Sequence, residues 1–328
     1  MKKKILATFW LPPEVVAATD DSFELIFPQE PVTGMTPFEE TKKMLPEIDG
    51  VLILHELFSK EIIDLGGARL KSIGRLGVGC DGVDYNYAGS KGVAVINTPN
   101  TVTQPTAELT IAIMLDIARC ITRTDKQLRR DKKCVWPHSY DGIASSLYGK
   151  TLGIIGFGRI GKAVSVKAHG LGMKIIYADV VAAPKEAEDA VGAKKVEMEA
   201  LLREADVVTV HCPYIPENHH LINEKTLKLM KPGAYLVNAS RGKMVDEAAL
   251  VAALKNKTIK GAALDVFEFE PEINQELMDL DNVVMVPHIG TWSQDARVAM
   301  AREVLDGMCE YLKGGNPPNI FNRDTLKR

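Results

Sequence analysis

The sequence predicts an α/β protein, a doubly wound parallel sheet accompanied by a second, smaller α/β domain. Three observations predict it. Short apolar runs alternate with helical patterns along nearly all of the 328 residues. A glycine-rich turn, Gly156-Phe157-Gly158-Arg159-Ile160-Gly161, joins one such run to one such helix. That turn falls near the middle of the chain, so the residues before it need a core of their own.

Taken in order, Lys2-Lys3-Lys4 and the apolar residues 5–11 read as a first strand rather than a leader, because the run meets Pro12-Pro13 with no small-residue cleavage site. Strands are expected at 5–10, 23–27, 51–54, 72–76 and 93–96, with helices at 37–45 and 61–66. Asn97-Thr98-Pro99-Asn100 is turn chemistry and marks a boundary. Residues 105–133 read as one long helix. Its first part is apolar on nearly every side, so it must be buried inside a domain or against a second subunit. Residues 151–155, 159–171 and 173–178 read as strand, helix and strand around the glycines. Further strands at 206–210, 234–237, 261–264 and 283–286, with helices at 198–204 and 246–254, complete a six-stranded sheet. Residues 292–312 form a last amphipathic helix expected to return to the first domain. The expected division is therefore 1–100 with 292–328, and 101–291.

Strand, glycine turn, helix, strand and then an acid, Asp179, at 18 residues past Gly161, is the dinucleotide-binding (Rossmann) pattern. The glycines allow a sharp turn and let backbone N–H groups approach a pyrophosphate at a helix N-terminus, where unpaired donors already carry partial positive charge. A carboxylate at Asp179 accepts from ribose hydroxyls and repels a 2′-phosphate. Val180-Val181-Ala182-Ala183-Pro184 brings no Arg to grip one, so NAD is preferred over NADP.

Composition narrows the class. A net charge of −3 and 25% charged residues give no global bias towards nucleic acid or a membrane, and no apolar stretch is long enough to span a bilayer. The basic stretch from Arg119 to Lys133 reads as a solvated helix end. Five scattered cysteines, none in a CxxC pair, fit a cytoplasmic protein without a thiolate metal site. His219-His220 suggests no metal either, since neighbours on a helix diverge and no carboxylate stands at ligand spacing in the sequence.

Three groups lie just past three strands of the second half: Arg241 after Leu236-Val237-Asn238, Glu270 after Ala263-Leu264-Asp265, and His288 after Met285-Val286-Pro287. Open α/β sheets bind ligands beyond the carboxyl ends of their strands. A guanidinium fixes a carboxylate through paired hydrogen bonds. An imidazole exchanges protons near neutrality, and a neighbouring carboxylate orients it. Together they suit reversible hydride transfer on a small 2-keto or 2-hydroxy acid.

At these residues the chain resembles the D-isomer-specific 2-hydroxy-acid dehydrogenases, of the glyoxylate/hydroxypyruvate reductase kind without a regulatory domain. The likeness covers nearly its whole length. It is carried by 152–161, His211-Cys212-Pro213-Tyr214 and the residues to 222, 230–242, 263–271 and Pro287-His288-Ile289-Gly290. The resemblance implies catalytic Arg241, Glu270 and His288, with His288 the acid in reduction and the base in oxidation. It implies a coenzyme groove lined by Thr106, Cys212, Pro213, Asn218, Ala239, Ser240, Asp265 and Gly290, with Asp265 meeting the nicotinamide carboxamide. Val78 and Gly79 would offer backbone donors to the substrate carboxylate, alongside Arg241. A flavodoxin-like outer domain, a cleft closed by hinge motion and a homodimer paired through the long helix are also implied. Formate is disfavoured because family members using it carry Gln where Glu270 stands, and phosphite because Val78 stands where its users carry Lys. A phosphorylated acid is disfavoured because Glu56 stands where phosphoglycerate enzymes place Arg. An unphosphorylated keto acid is the leading expectation. The alternatives are a bulkier aryl or branched acid, for which Leu57, Phe58 and Trp292 either line an apolar pocket or are simply core, 3-phosphoglycerate, and a non-enzymatic NAD(H)-sensing, corepressor-like protein.

Overall fold

A computed structural model describes residues 2–29, 35–134 and 144–327. The chain divides into two compact units, Met1–Val102 with Thr291–Arg328, and Thr103–Gly290.

The first unit holds a five-stranded parallel sheet: β1 Lys3–Ala7, β2 Phe23–Ile26, β3 Gly50–Ile53, β4 Ser72–Arg75 and β5 Ala94–Ile96, in spatial order β2-β1-β3-β4-β5. This is the flavodoxin-like order. β3 is buried along its whole length, which explains its unbroken apolar run. β1 ends earlier than its apolar run suggests, since past Ala7 the chain makes only a single bridge from Phe9 to Met35. One face of the sheet is covered from the far end of the chain. Met300, Ala301, Val304 and Met308 of the helix Gln294–Leu312 join Ile5, Leu52 and Ile96 in one core. Ser293 starts that helix by accepting the N–H of Ala296.

The second unit holds seven parallel strands rather than six: β6 Thr151–Ile155, β7 Lys174–Ala178, β8 Lys194–Lys195, β9 Val207–Val210, β10 Tyr235–Asn238, β11 Gly261–Leu264 and β12 Val283–Met285. Their order is β12-β11-β10-β9-β6-β7-β8. The additional β8 is two lysines at the edge, exposed on both sides, so it left no apolar signature. Strand order reverses between β6 and β9, which makes a ligand crevice at their carboxyl ends.

The expected single helix at 105–133 is two. Thr103–Arg119 stops, Cys120 takes a left-handed conformation (φ 57°), and Ile121–Asp131 starts afresh. Asp116 fixes the break, its carboxylate accepting the backbone N–H and the hydroxyl of Thr122. The first helix is not buried all round, for Leu109, Ile111 and Leu115 are half-buried and Ala112 is exposed. No residue of the second is buried, and Arg129 and Arg130 pair with Asp125 and Asp131 along it. Among the described residues no helix is long and apolar enough to cross a membrane.

Candidate active site

Three turns meet at the crevice, those after β6, β7 and β9. Gly156 has φ +90°, and a Cβ there would lie 2.4 Å from the backbone nitrogen of Cys212, so only glycine lets these two turns touch. A Cβ on Gly161 would strike the carbonyl of Gly156 at 2.3 Å, which is how closely the helix Arg159–Gly170 packs on the turn. At Gly158, the residue before that helix, a Cβ would meet nothing within 4 Å. The turn is thus tight on its protein side and open at the helix N-terminus, the form a pyrophosphate cradle requires. Arg159 and Ile160 open the helix.

Asp179 stands at the end of β7. Its carboxylate accepts the N–H of Phe157 at 2.7 Å and of Val181 at 3.0 Å, while the Phe157 ring stacks on Tyr177 within the core. Burial pushes the Cys212 thiol up to about 11, so that side chain is an inert apolar wall. Asn218 donates to Pro213 O and accepts from the N–H of Ile215, and Ser240 donates its hydroxyl to Asn238. The side chains of Asn218 and Ser240 are therefore committed to their own turns, and Ala239 is buried.

The three strand-end groups come from neighbouring strands β10, β11 and β12. Asn238 makes a local turn, accepting the N–H of Ser240 and donating to Arg241 O, and Arg241 Nη1 donates to Ser240 O. Glu270 Oε1 accepts the N–H of Phe267, and Oε2 lies 3.0 Å from His288 Nδ1. Glu270 and His288 each keep 37% of their side-chain surface, so the pair is held by protein on one side and open on the other. Burial alone would raise the Glu270 carboxyl. The hydrogen bond and charge of His288, the N–H of Phe267 and the charge of Arg241 outweigh it and hold the group below its ordinary value. With Glu270 ionised, the proton on Nδ1 points at it, which fixes the tautomer and the orientation of the ring.

Asp265 lies beneath His288. It accepts the backbone N–H groups of Ile289 and Gly290, and its own carbonyl accepts the N–H of His288, whose φ is +53°. Burial pushes its carboxyl up to about 6, against the opposing pull of those N–H groups and of His288. A Cβ on Gly290 would lie 3.0 Å from Asp265 and 3.5 Å from the Thr106 hydroxyl, so these three residues close one corner.

Val78 and Gly79 belong to the other unit, on the loop after β4. There buried Asn97 donates to Val78 O, and Asn319 in turn donates to Asn97 O. Glu56, in the loop after β3, accepts the N–H groups of Leu54 and His55. Phe58 is core rather than a pocket wall, while Leu57 and Trp292 are exposed.

Sequence reasoning missed two groups. His219 and His220 are not on a helix; their rings stack with centroids 3.9 Å apart. A carboxylate does reach them, Glu268, whose Oε1 is 2.6 Å from His220 Nε2. The ligand atoms of these three lie within 4.8 Å of one another. Asn97 and Asn238 were also overlooked as braces, although an Asn at or just past the end of an apolar strand is a usable signal for a side-chain-stabilised turn.

Residues 111–290 match the D-isomer specific 2-hydroxyacid dehydrogenase, NAD binding domain. The chain is 41% identical over 330 residues to a glyoxylate reductase of Thermococcus litoralis, covering 99% of this chain and 98% of that one. It is 40% identical to a glyoxylate reductase of Pyrococcus horikoshii, covering 100% and 98%. Among solved structures, a protein from Thermus thermophilus superposes with a TM-score of 0.87 at 33% identity, covering 97% of this chain and 99% of that one. An NADPH-dependent glyoxylate/hydroxypyruvate reductase from Sinorhizobium meliloti, in complex with NADP and malonate, gives 0.85 at 27%, covering 100% and 99%. This chain belongs to the D-isomer-specific 2-hydroxyacid dehydrogenases. It is an oxidoreductase with a nicotinamide-coenzyme domain and a small keto or hydroxy acid as substrate.

Proposed function

We propose that the protein is an NAD-dependent reductase of a small unphosphorylated 2-keto acid, glyoxylate or hydroxypyruvate in kind, and forms the D-2-hydroxy acid. The observation that carries this is the 3.0 Å pair of His288 and Glu270 at the carboxyl edge of a sheet whose neighbouring strand β10 leads into the turn bearing Arg241. The open Gly158 position and the Asp179 carboxylate fit an adenine dinucleotide. Bound there, the reduced nicotinamide supplies the hydrogen and electron pair that reach C2 of the keto acid. Arg241 holds the substrate carboxylate and polarises the adjoining carbonyl. His288 gives its Nε2 proton to the oxygen as the C=O bond becomes C–OH, and Glu270 stabilises the imidazolium before and the orientation throughout. Asp265 fixes the segment that bears His288.

Two features support an unphosphorylated substrate and NAD. Glu56 uses the N–H donors of Leu54 and His55 that a phosphate would need, and it brings negative charge to them. No Arg stands in Val180-Val181-Ala182-Ala183-Pro184 just past Asp179, although the S. meliloti relative uses NADPH. The glyoxylate reductases at about 40% identity support the keto acid. The half-buried Leu109, Ile111 and Leu115 support pairing of two subunits across the helix Thr103–Arg119.

The test is coenzyme oxidation with a keto-acid panel, using NADH and NADPH in parallel. Wild type should turn over glyoxylate with NADH in preference to NADPH. His288→Ala should lose about 10²-fold or more in kcat, the scale of a lost general acid. Arg241→Ala should both raise KM and lower kcat, since it touches ground and transition states. Turnover indifferent to both substitutions would refute the assignment of roles.

A further inference from the structure

The turns that carry Arg241 and Glu270 press backbone against backbone. A Cβ on Gly242 would fall 1.8 Å from Phe267 O and 2.4 Å from the nitrogen of Glu268, so nothing but hydrogen separates them. Behind this contact stands His220, one of few residues besides glycine with positive φ (52°). Its backbone N–H donates to Lys243 O, in the turn that follows Arg241. Its ring Nε2 lies 2.6 Å from Glu268 Oε1, two residues before Glu270. Asn223 steadies it by donating to its carbonyl.

Glu268 is itself locked in. Its side chain is only 9% exposed, its Oε2 accepts the N–H of Glu247, and its own N–H donates to Glu247 Oε1. The second carboxylate of this reciprocal pair, Glu247, is buried with Oε2 unpartnered. An ionised carboxylate accepts but cannot donate, so with Glu268 ionised the proton in the short contact is on His220 Nε2. His219 stacks on one face of the His220 ring, and Asp246 Oδ2 lies 4.0 Å from Nδ1.

We propose that His220 is a positioning residue for the reaction: bonded to Lys243 through its backbone and to Glu268 through its ring, it clamps the Arg241 turn to the Glu270 turn. The inference rests on the roles given above to Arg241 and Glu270. Without the ring N–H, Glu268 keeps one donor beside a second buried carboxylate, and the residues 266–270 shift to reach water. The shift moves Glu270 relative to His288 and relaxes the wall behind Arg241. The contacts of His220 run to the turns after β10 and β11, whereas the glycine cradle follows β6. The effect therefore falls on turnover rather than on coenzyme binding.

The decisive comparison is His220→Leu against His220→Gln, assayed with glyoxylate and NADH beside wild type and His288→Ala. Both substitutions place a side chain other than histidine at positive φ, and only Gln offers an N–H to Glu268. His220→Leu should lose about tenfold or more in kcat, in line with the cost of an ångström-scale misplacement, with the NADH Kd within about twofold of wild type. His220→Gln should recover most of that loss. Leu and Gln variants equally active, or equally impaired, would overturn the inference while leaving the function intact. Absence of wild-type turnover would overturn the functional reading, and this inference with it.

Discussion

His211 shows how one residue links packing to pH. It follows β9 and lies under the glycine turn, with Nε2 2.9 Å from the Thr209 hydroxyl and a buried Nδ1 that has no partner. Burial lowers its pKa from 6.5 to about 3, because the enclosed ring loses the hydration that a cation needs. The sign follows from proton counting. Between these two values the unfolded chain holds a proton on His211 and the folded chain does not, so stability rises with pH across that window and is lost as pH falls from about 6.5 towards 3. The melting temperature of wild type should therefore drop through this range, and that of His211→Gln should drop less steeply. Parallel acid limbs in a differential scanning calorimetry titration would show that other groups set the slope. In the sequence His211 reads only as part of a motif, since the missing partner depends on packing from three turns.

At the scale of elements, buried parallel strands were the most legible feature. β9, β10 and β11 are covered on both faces, so their sequences are continuous apolar runs cut by turn residues. The strand ends followed directly, and with them the positions of Arg241, Glu270 and His288. The break at Cys120 was not legible, because residues 105–133 hold no Gly or Pro there and the helical pattern runs on across it. What breaks it is tertiary. Asp116 caps the second helix, and the N–H of Ser145 caps Ala118 O of the first, leaving Cys120 to turn the corner in a left-handed conformation. A β-branched side chain is strained there and glycine is not. Cys120→Val should lower Tm by several degrees and Cys120→Gly should hold or raise it, as cap positions of this kind prefer glycine. Equal melting of the two variants would mean that the corner carries no backbone strain.

At the scale of the whole chain, the two units differ in how their cores draw on the sequence. Both cores of the second unit use residues between 107 and 286 alone. The first unit has one core made wholly before residue 96, and another that joins Ile5, Leu52 and Ile96 to Met300, Val304 and Met308. The tail adds buried polar stitches: Asn322 accepts the N–H of Val95 and donates to Tyr85 O and Val93 O. A sequence read locally shows the apolar face of the last helix but not its partner, which is why its return to the first unit could only be expected. The consequence for folding is asymmetric. A fragment spanning 103–290 retains every core contact of its sheet together with Asp179 and the glycine turn, so it should fold on its own and bind NADH. A fragment spanning 1–102 exposes the face that Met300, Val304 and Met308 would cover, an apolar loss of several kcal/mol at about 25 cal/mol per Å². It should fail to melt cooperatively, and should regain a transition when a peptide of residues 291–328 is supplied. Circular dichroism melts and NADH fluorescence on the separate fragments decide this. A cooperative 1–102 fragment, or an unfolded 103–290 fragment, would show that the shared core is not what makes the first unit depend on both chain ends.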